Sequence, residues 1–205
     1  FDTIHLMKGL YTNMLNRGEF QCPPHNGVPV NPKIQHFQDL YQKEVGAPVR
    51  YASKLNHKVI YPKPIERSNV DLAVRFYDES TEAALNYFSQ FDNDDWKQSA
   101  AFVAIVRRFF NTINVKNPTM ENRKRDETRK PVRRDDRTPL IFLREFLEWV
   151  KEWQSMPTKM KLSNETFFTL RYTLRGLTEL CDYLFDTTDL AYVLLGKINS
   201  DPIEH

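Results

Sequence analysis

The 205-residue chain is 40% hydrophobic, 13% aromatic and 27% charged, a globular composition too rich in aromatics for disorder. A net charge of +2 leaves any nucleic-acid role to local clusters, and no apolar run approaches the length of a bilayer span. Residues 1–15 lack the basic-then-apolar layout of a signal peptide, and Cys22 and Cys181, far apart in unlike contexts, read as reduced thiols of a cytosolic or nuclear protein.

Residues 1–65 hold most of the prolines and four of the five histidines. An amphipathic run, "HLMKGLYTNML", precedes loops such as "CPPHNGVPVNP" and "YPKPIE". "PKIQHFQDLYQKEVG" predicts one helix, with Ile34, Phe37, Leu40 and Tyr41 on a face and Gly46 as its stop.

From 69 to 195 the pattern is almost wholly helical. "NVDLAVRFYDESTEAALNYFSQF" starts from Ser68 or Asn69 as N-cap and reads as a single helix. "DDWKQSAAFVAIVRRFFNTIN" sets Asp94 and Asp95 at the positive end of its dipole. Its seam is Phe102, Ile105, Val106, Phe109, Phe110 and Ile113. "TPLIFLREFLEWVKEW" begins with Thr138 as cap and Pro139 in its first turn. "SNETFFTLRYTLRGLTELCDYLFD" repeats apolar residues at Phe167, Leu170, Leu174, Leu177, Cys181 and Leu184, a packing seam.

Between the second and third of these helices lies "VKNPTMENRKRDETRKPVRRDDRTP", with nine Lys/Arg against five Asp/Glu. So polar a stretch predicts a mobile loop. Its charges fit a solvated surface, a phosphate-contacting arm or a nuclear-import signal.

Phosphate-cradling Gly loops, paired CxxC, HExxH and GxSxG are all absent, and His5, His25, His36 and His57 match no metal-ligand spacing. Carboxylates remain. Asp2 sits at a predicted strand-to-helix junction, and Asp201 and Glu204 are three apart in the closing "INSDPIEH". Carboxylates that converge from distant segments hold Mg²⁺, and two such ions activate and stabilise the oxygens of phosphodiester cleavage. Helix-end carboxylates equally serve as caps or for solubility.

"FDTIHLMKGLYTNML" resembles the Asp-x-x-His-hydrophobic-hydrophobic-Lys segment of P element-type transposases, the family that includes THAP-domain relatives. "YVLLGKINSDPIEH" resembles the same family's segment ending in Asn-x-Asp-x-x-Glu, and the block between is similar to its GTP-binding insertion domain. The resemblance implies a mainly α fragment of an α+β parent. Residues 1–65 would belong to an RNase H-like catalytic domain with its lead-in. Residues 66–195 would form the helical insertion, and 196–205 the start of the returning catalytic helix. Asp2 and Glu204 then stand as two members of a DDE triad on Mg²⁺, the first lying upstream in a longer protein, so that the fragment alone is inactive. Asp201 would help to hold the metal of a bound guanine nucleotide, GTP, whose pocket draws on Lys54, Val70, Phe110, Asn111 and Asn114.

Two positions depart from the family. It has an Asp where this chain has Asn111, and an amide offers guanine one acceptor oxygen instead of two. It also has a basic residue where this chain has Asn69. The expected parent is a nuclear, homo-oligomeric, Mg²⁺-dependent DNA transposase acting on transposon ends. A domesticated derivative that binds DNA or protein without catalysis is the alternative, and a plain helical interaction domain is a third.

Overall fold

A computed structural model describes the backbone of residues 3–198 and the side chains of residues 5–198; Asp2, Asp201 and Glu204 lie outside the described residues. The chain is mainly α, as its periodicity predicts. The helices are α1 (Thr3–Arg17), α2 (Ile34–Glu44), α3 (His57–Ile60), α4 (Val70–Phe76), α5 (Glu79–Ser89), α6 (Trp96–Ile113), α7 (Met120–Lys124), α8 (Thr138–Ser155) and α9 (Asn164–Thr187). Among the described residues none is long and apolar enough to cross a membrane. Two short strands, β1 (Val132–Arg133) and β2 (Tyr192–Val193), pair antiparallel with Val132 opposite Val193.

The chain divides into two units, the first formed by residues 7–107 and 153–163. Its core is aromatic. Phe37 stacks on Phe76 at 4.3 Å, and Tyr11 tilts against the same ring at 5.4 Å. Phe76 also meets Tyr77, which leads through Phe102 and Phe20 to Trp153. Such ring pairs contribute about 0.5–1.5 kcal/mol each beyond their burial. The buried Tyr11 hydroxyl donates to the Val59 carbonyl at 2.6 Å, which fixes α3. Glu44, only 4% exposed, accepts the amides of Tyr51 and Ala52 at 2.8 and 3.0 Å. This buried carboxylate shapes the turn beyond α2 and does no visible chemistry.

The helix predicted to run unbroken from Asn69 is two helices. Asn69 caps α4, accepting from the Asp71 amide, but Asp78 adopts an extended backbone and starts a new helix by accepting the Ser80 amide at 3.0 Å. A short acceptor that bonds the backbone two residues on competes with helix continuation.

The described part of the second unit comprises residues 3–6, 108–152 and 164–198. Phe109 stacks on Phe146 at 4.7 Å, which joins α6 to α8. On α9 the predicted seam is buried at Phe167, Leu170, Leu174, Leu177 and Cys181 and closes with Phe185. Burial pushes the Cys181 thiol up to about 12, an inert core thiol.

Candidate functional site

The last turns of α6 present the residues that the sequence marked. Phe109, Asn111 and Ile113 are buried, Phe110 and Asn114 are half-buried, and Arg108 is exposed. The Arg108 guanidinium lies 4.1 Å from the centre of the Phe142 ring on α8, and the Asn114 amide closes back on the Phe110 carbonyl at 3.0 Å.

The polar stretch that follows is ordered, which corrects the expectation of a mobile loop. It folds through three turns of the form Asp/Asn-x-Thr. Asn117 accepts the amide and hydroxyl of Thr119, Asp126 those of Thr128, and Asp136 those of Thr138. Side-chain acceptors that bond the backbone two residues on are stable local turns without any apolar core. Five cations of the stretch then find partners within the protein. Arg129 pairs with Asp126 at 3.1 Å, Lys130 lies 3.6 Å from Glu127, and Arg133 approaches Glu121 at 3.9 Å. Arg134 donates to the carbonyls of Phe185, Thr188 and Leu190, and Arg137 reaches Asp182 at 3.3 Å. Composition alone shows the charges and hides their partners.

Asn111 is the anchor of this arm. It is 1% exposed, and its amide nitrogen donates to Asp126 at 3.0 Å and to the Thr128 hydroxyl at 2.9 Å. Burial pushes the Asp126 carboxyl up, but the Thr128 hydroxyl and amide and the Arg129 charge outweigh it and hold the group below its usual range. Asp136 is likewise held low, first by the Thr138 hydroxyl and amide. Asn111 therefore spends its donors inside the protein and offers almost no surface to a solvent-borne base.

Beside this anchor, Arg108, Thr112, Thr128, Lys130 and Thr138 help to line a cavity of about 240 Å³. That is smaller than the ~300–1,000 Å³ of ordinary ligand pockets. A second cavity of about 420 Å³ lies among Glu121, Arg125, Asp126, Glu127 and Lys130. Both are lined by charges of both signs, and the first also by the apolar Pro139 and Phe142.

Of the residues that the sequence assigned to a nucleotide, Phe110, Asn111 and Asn114 share one turn of the second unit, whereas Lys54 and Val70 belong to the first. Lys54 is exposed, and Val70 is half-buried at the start of α4. The partners that sequence reasoning missed are Asp126 and Thr128, fifteen and 17 residues beyond Asn111. The Asp-x-Thr spacing was the available signal for their turn, but nothing local marks what that turn packs on. Among the described residues no three His, Cys, Asp or Glu side chains gather as a metal site.

No protein-family model and no curated protein matches the sequence. The fold matches a solved structure, the Drosophila P element transposase strand transfer complex, with a TM-score of 0.80 at 18% identity. The match covers 100% of this chain and 44% of that chain, so the sequence spans less than half the length of its structural neighbour. The chain thus has a P element-type transposase fold.

Proposed function

We propose that the chain is the insertion-bearing part of a DNA transposase that cuts and joins phosphodiester bonds. The observation that supports this most is the agreement of fold along the whole chain with a transposase solved in a strand transfer complex. The end motifs that resemble the same family bracket that fold in the family's order.

In this reading Asp2 and Glu204 are two of the carboxylates that hold Mg²⁺, with Asp201 serving a nucleotide-bound ion. A bound Mg²⁺ supplies Lewis-acid stabilisation of the reacting phosphate oxygens. The helical units present DNA to that centre, in an oligomeric and nuclear protein. Guanine nucleotide is an accessory ligand of the proposal, and selectivity for guanine does not rest on Asn111, whose donors are committed to Asp126 and Thr128.

The test is strand transfer by the full-length protein, given a duplex with a free 3′-hydroxyl at a transposon end, target DNA and Mg²⁺. Joined product that disappears in Asp2→Asn and in Glu204→Gln is the expected result. DNA binding without any joining by the native protein would favour the domesticated, non-catalytic derivative instead. Joining that survives both substitutions would overturn the assignment of these carboxylates.

A further inference from the structure

Apart from Lys116, which also has a partner in the protein, the cations of the arm fall into two groups. Arg129, Lys130, Arg133 and Arg137 pair with carboxylates, and Arg134 donates to backbone carbonyls at and just beyond the end of α9. Arg123, Lys124 and Arg125 do neither. All three are exposed, they are consecutive, and their side chains make no ion pair or hydrogen bond among the described residues. They stand at the end of α7, where Arg125 closes the helix in the left-handed conformation with φ 51°. That position favours glycine or asparagine, so the arginine there is held at a conformational cost. The turns and ion pairs behind it make the arm a stiff support for this tip.

We infer that Arg123, Lys124 and Arg125 form a contact for the phosphate backbone of DNA. This rests on the proposed DNA-handling function and deepens it by naming where a backbone is gripped. Around the tip lie Glu121, Asn122, Asp126 and Glu127, with no exposed aromatic or large aliphatic side chain among them. A protein partner would need an apolar or aromatic anchor at the centre of its interface. A row of cations without such an anchor suits a polyanion, which it binds through counterion release without reading sequence. Glu121, Asp126 and Glu127 are engaged by Arg133, Arg129 and Lys130, but Glu127, with its side chain 90% exposed, still opposes the field of the tip.

The experiment is equilibrium binding of the full-length protein to a duplex of arbitrary sequence across a series of salt concentrations. The Arg123→Gln, Lys124→Gln, Arg125→Gln triple variant should flatten the plot of log affinity against log salt by up to about 0.9 for each phosphate that it no longer neutralises. Its melting temperature should stay at the native value, because none of the three side chains holds the fold. Replacing both arginines by lysine should keep the native slope, and Glu127→Gln should raise affinity. If the native protein binds DNA and the triple variant binds it with the same slope, the tip does not grip the backbone, and the proposed function stands without it. A native protein that shows no DNA binding would remove that function and this inference together. Loss of binding to polyglutamate with unchanged binding to DNA would make the partner an acidic protein and overturn the inference.

Discussion

Asn111 and Asp126 are joined by a hydrogen bond of 3.0 Å in which the amide donates to the carboxylate, on a side chain that is 1% exposed. This pair ties the end of α6 to the arm. Asn111→Leu removes the donor and leaves a part-buried carboxylate short of a partner, at a cost of about 1–3 kcal/mol. Loosening should be local first, so trypsin should cut between residues 116 and 137 faster than in the native protein. Native resistance of that segment in the variant would show that the ion pairs suffice.

Asn111→Asp is a sharper test of the same pair. It sets two carboxylates side by side, and one of them must then keep a proton in the folded state. A folded-state pKa raised above the unfolded value of about 3.9 gives stability that falls as pH rises through the raised pKa. The native Asp126 behaves oppositely. Its pKa is held low, so its contribution is present above about pH 4 and is lost as pH falls through the folded value. Melting temperatures of both proteins between pH 4 and 8 should therefore diverge with rising pH, and parallel curves would contradict the geometry.

His36 supplies the second pH signal. It is 5% exposed, shares a 2.8 Å hydrogen bond with the Ser99 hydroxyl and stacks near Trp96. Burial and the Lys33 charge lower its pKa, against weaker opposition from Asp95 and Asp39. With the folded-state pKa below the unfolded value of about 6.5, the unfolded chain takes up the proton first. Stability is thus complete above about pH 6.5 and falls as pH drops below it, until the folded form also protonates. Thermal melts of His36→Gln, which keeps a polar partner for Ser99, should lack the loss in that window.

Much of the helical scaffold was legible because one face of each long helix must be apolar. Phe102, Val106, Phe109 and Ile113 on α6, and Leu170, Leu174, Leu177 and Cys181 on α9, are the residues that the period picks out, and all are buried. The break at Asp78 and the order of the arm escaped for one reason. Each depends on a short acceptor bonding the backbone two residues on, at Asp78-x-Ser80, Asn117-x-Thr119, Asp126-x-Thr128 and Asp136-x-Thr138. That pattern is written in the sequence, but apolar periodicity does not register it. What the arm packs on was not written locally at all. Val132 pairs with Val193, and Arg137 meets Asp182 45 residues away. The partners of Asn111 were hidden in the same way, since its neighbours in sequence say nothing of Asp126.

Arg134 closes the end of α9. Its guanidinium donates to the carbonyls of Phe185 at 2.7 Å, Leu190 at 3.3 Å and Thr188, and lies over the Phe185 ring. The last carbonyls of a helix lack intrahelical partners and carry partial negative charge, so a planar cation with forked donors suits them. Arg134→Gln should cost about 1–2 kcal/mol, as for cations well placed at helix C-termini. Arg134→Lys should recover only part of it, because one ammonium cannot bond three divergent carbonyls. Hydrogen exchange should speed up in residues 185–191 before it does in the middle of α9. Equal stability of the Lys variant and the native protein would reduce this fork to a simple charge.

Gly196 shows how closely the segment after β2 lies against the end of α6. Its amide donates to the Val115 carbonyl at 3.0 Å. A Cβ placed on it would fall 2.7 Å from the Asn114 carbonyl carbon and 3.0 Å from that carbonyl's oxygen. Those atoms are backbone, so no rotamer change can relieve the clash. The residue's need for glycine comes from this approach and not from a left-handed backbone. Gly196→Ala should therefore cost about 1–3 kcal/mol, the usual penalty of overpacking. It should also loosen the pairing of Val132 with Val193, which precedes it by three residues. Gly196→Ser should fare no better, since its hydroxyl does not remove the Cβ. A chemical-denaturation series on both variants decides it. Native stability of Gly196→Ala would mean that residues 114–116 can shift away, and the anchoring of Asn114 beside the arm would then be looser than these distances require.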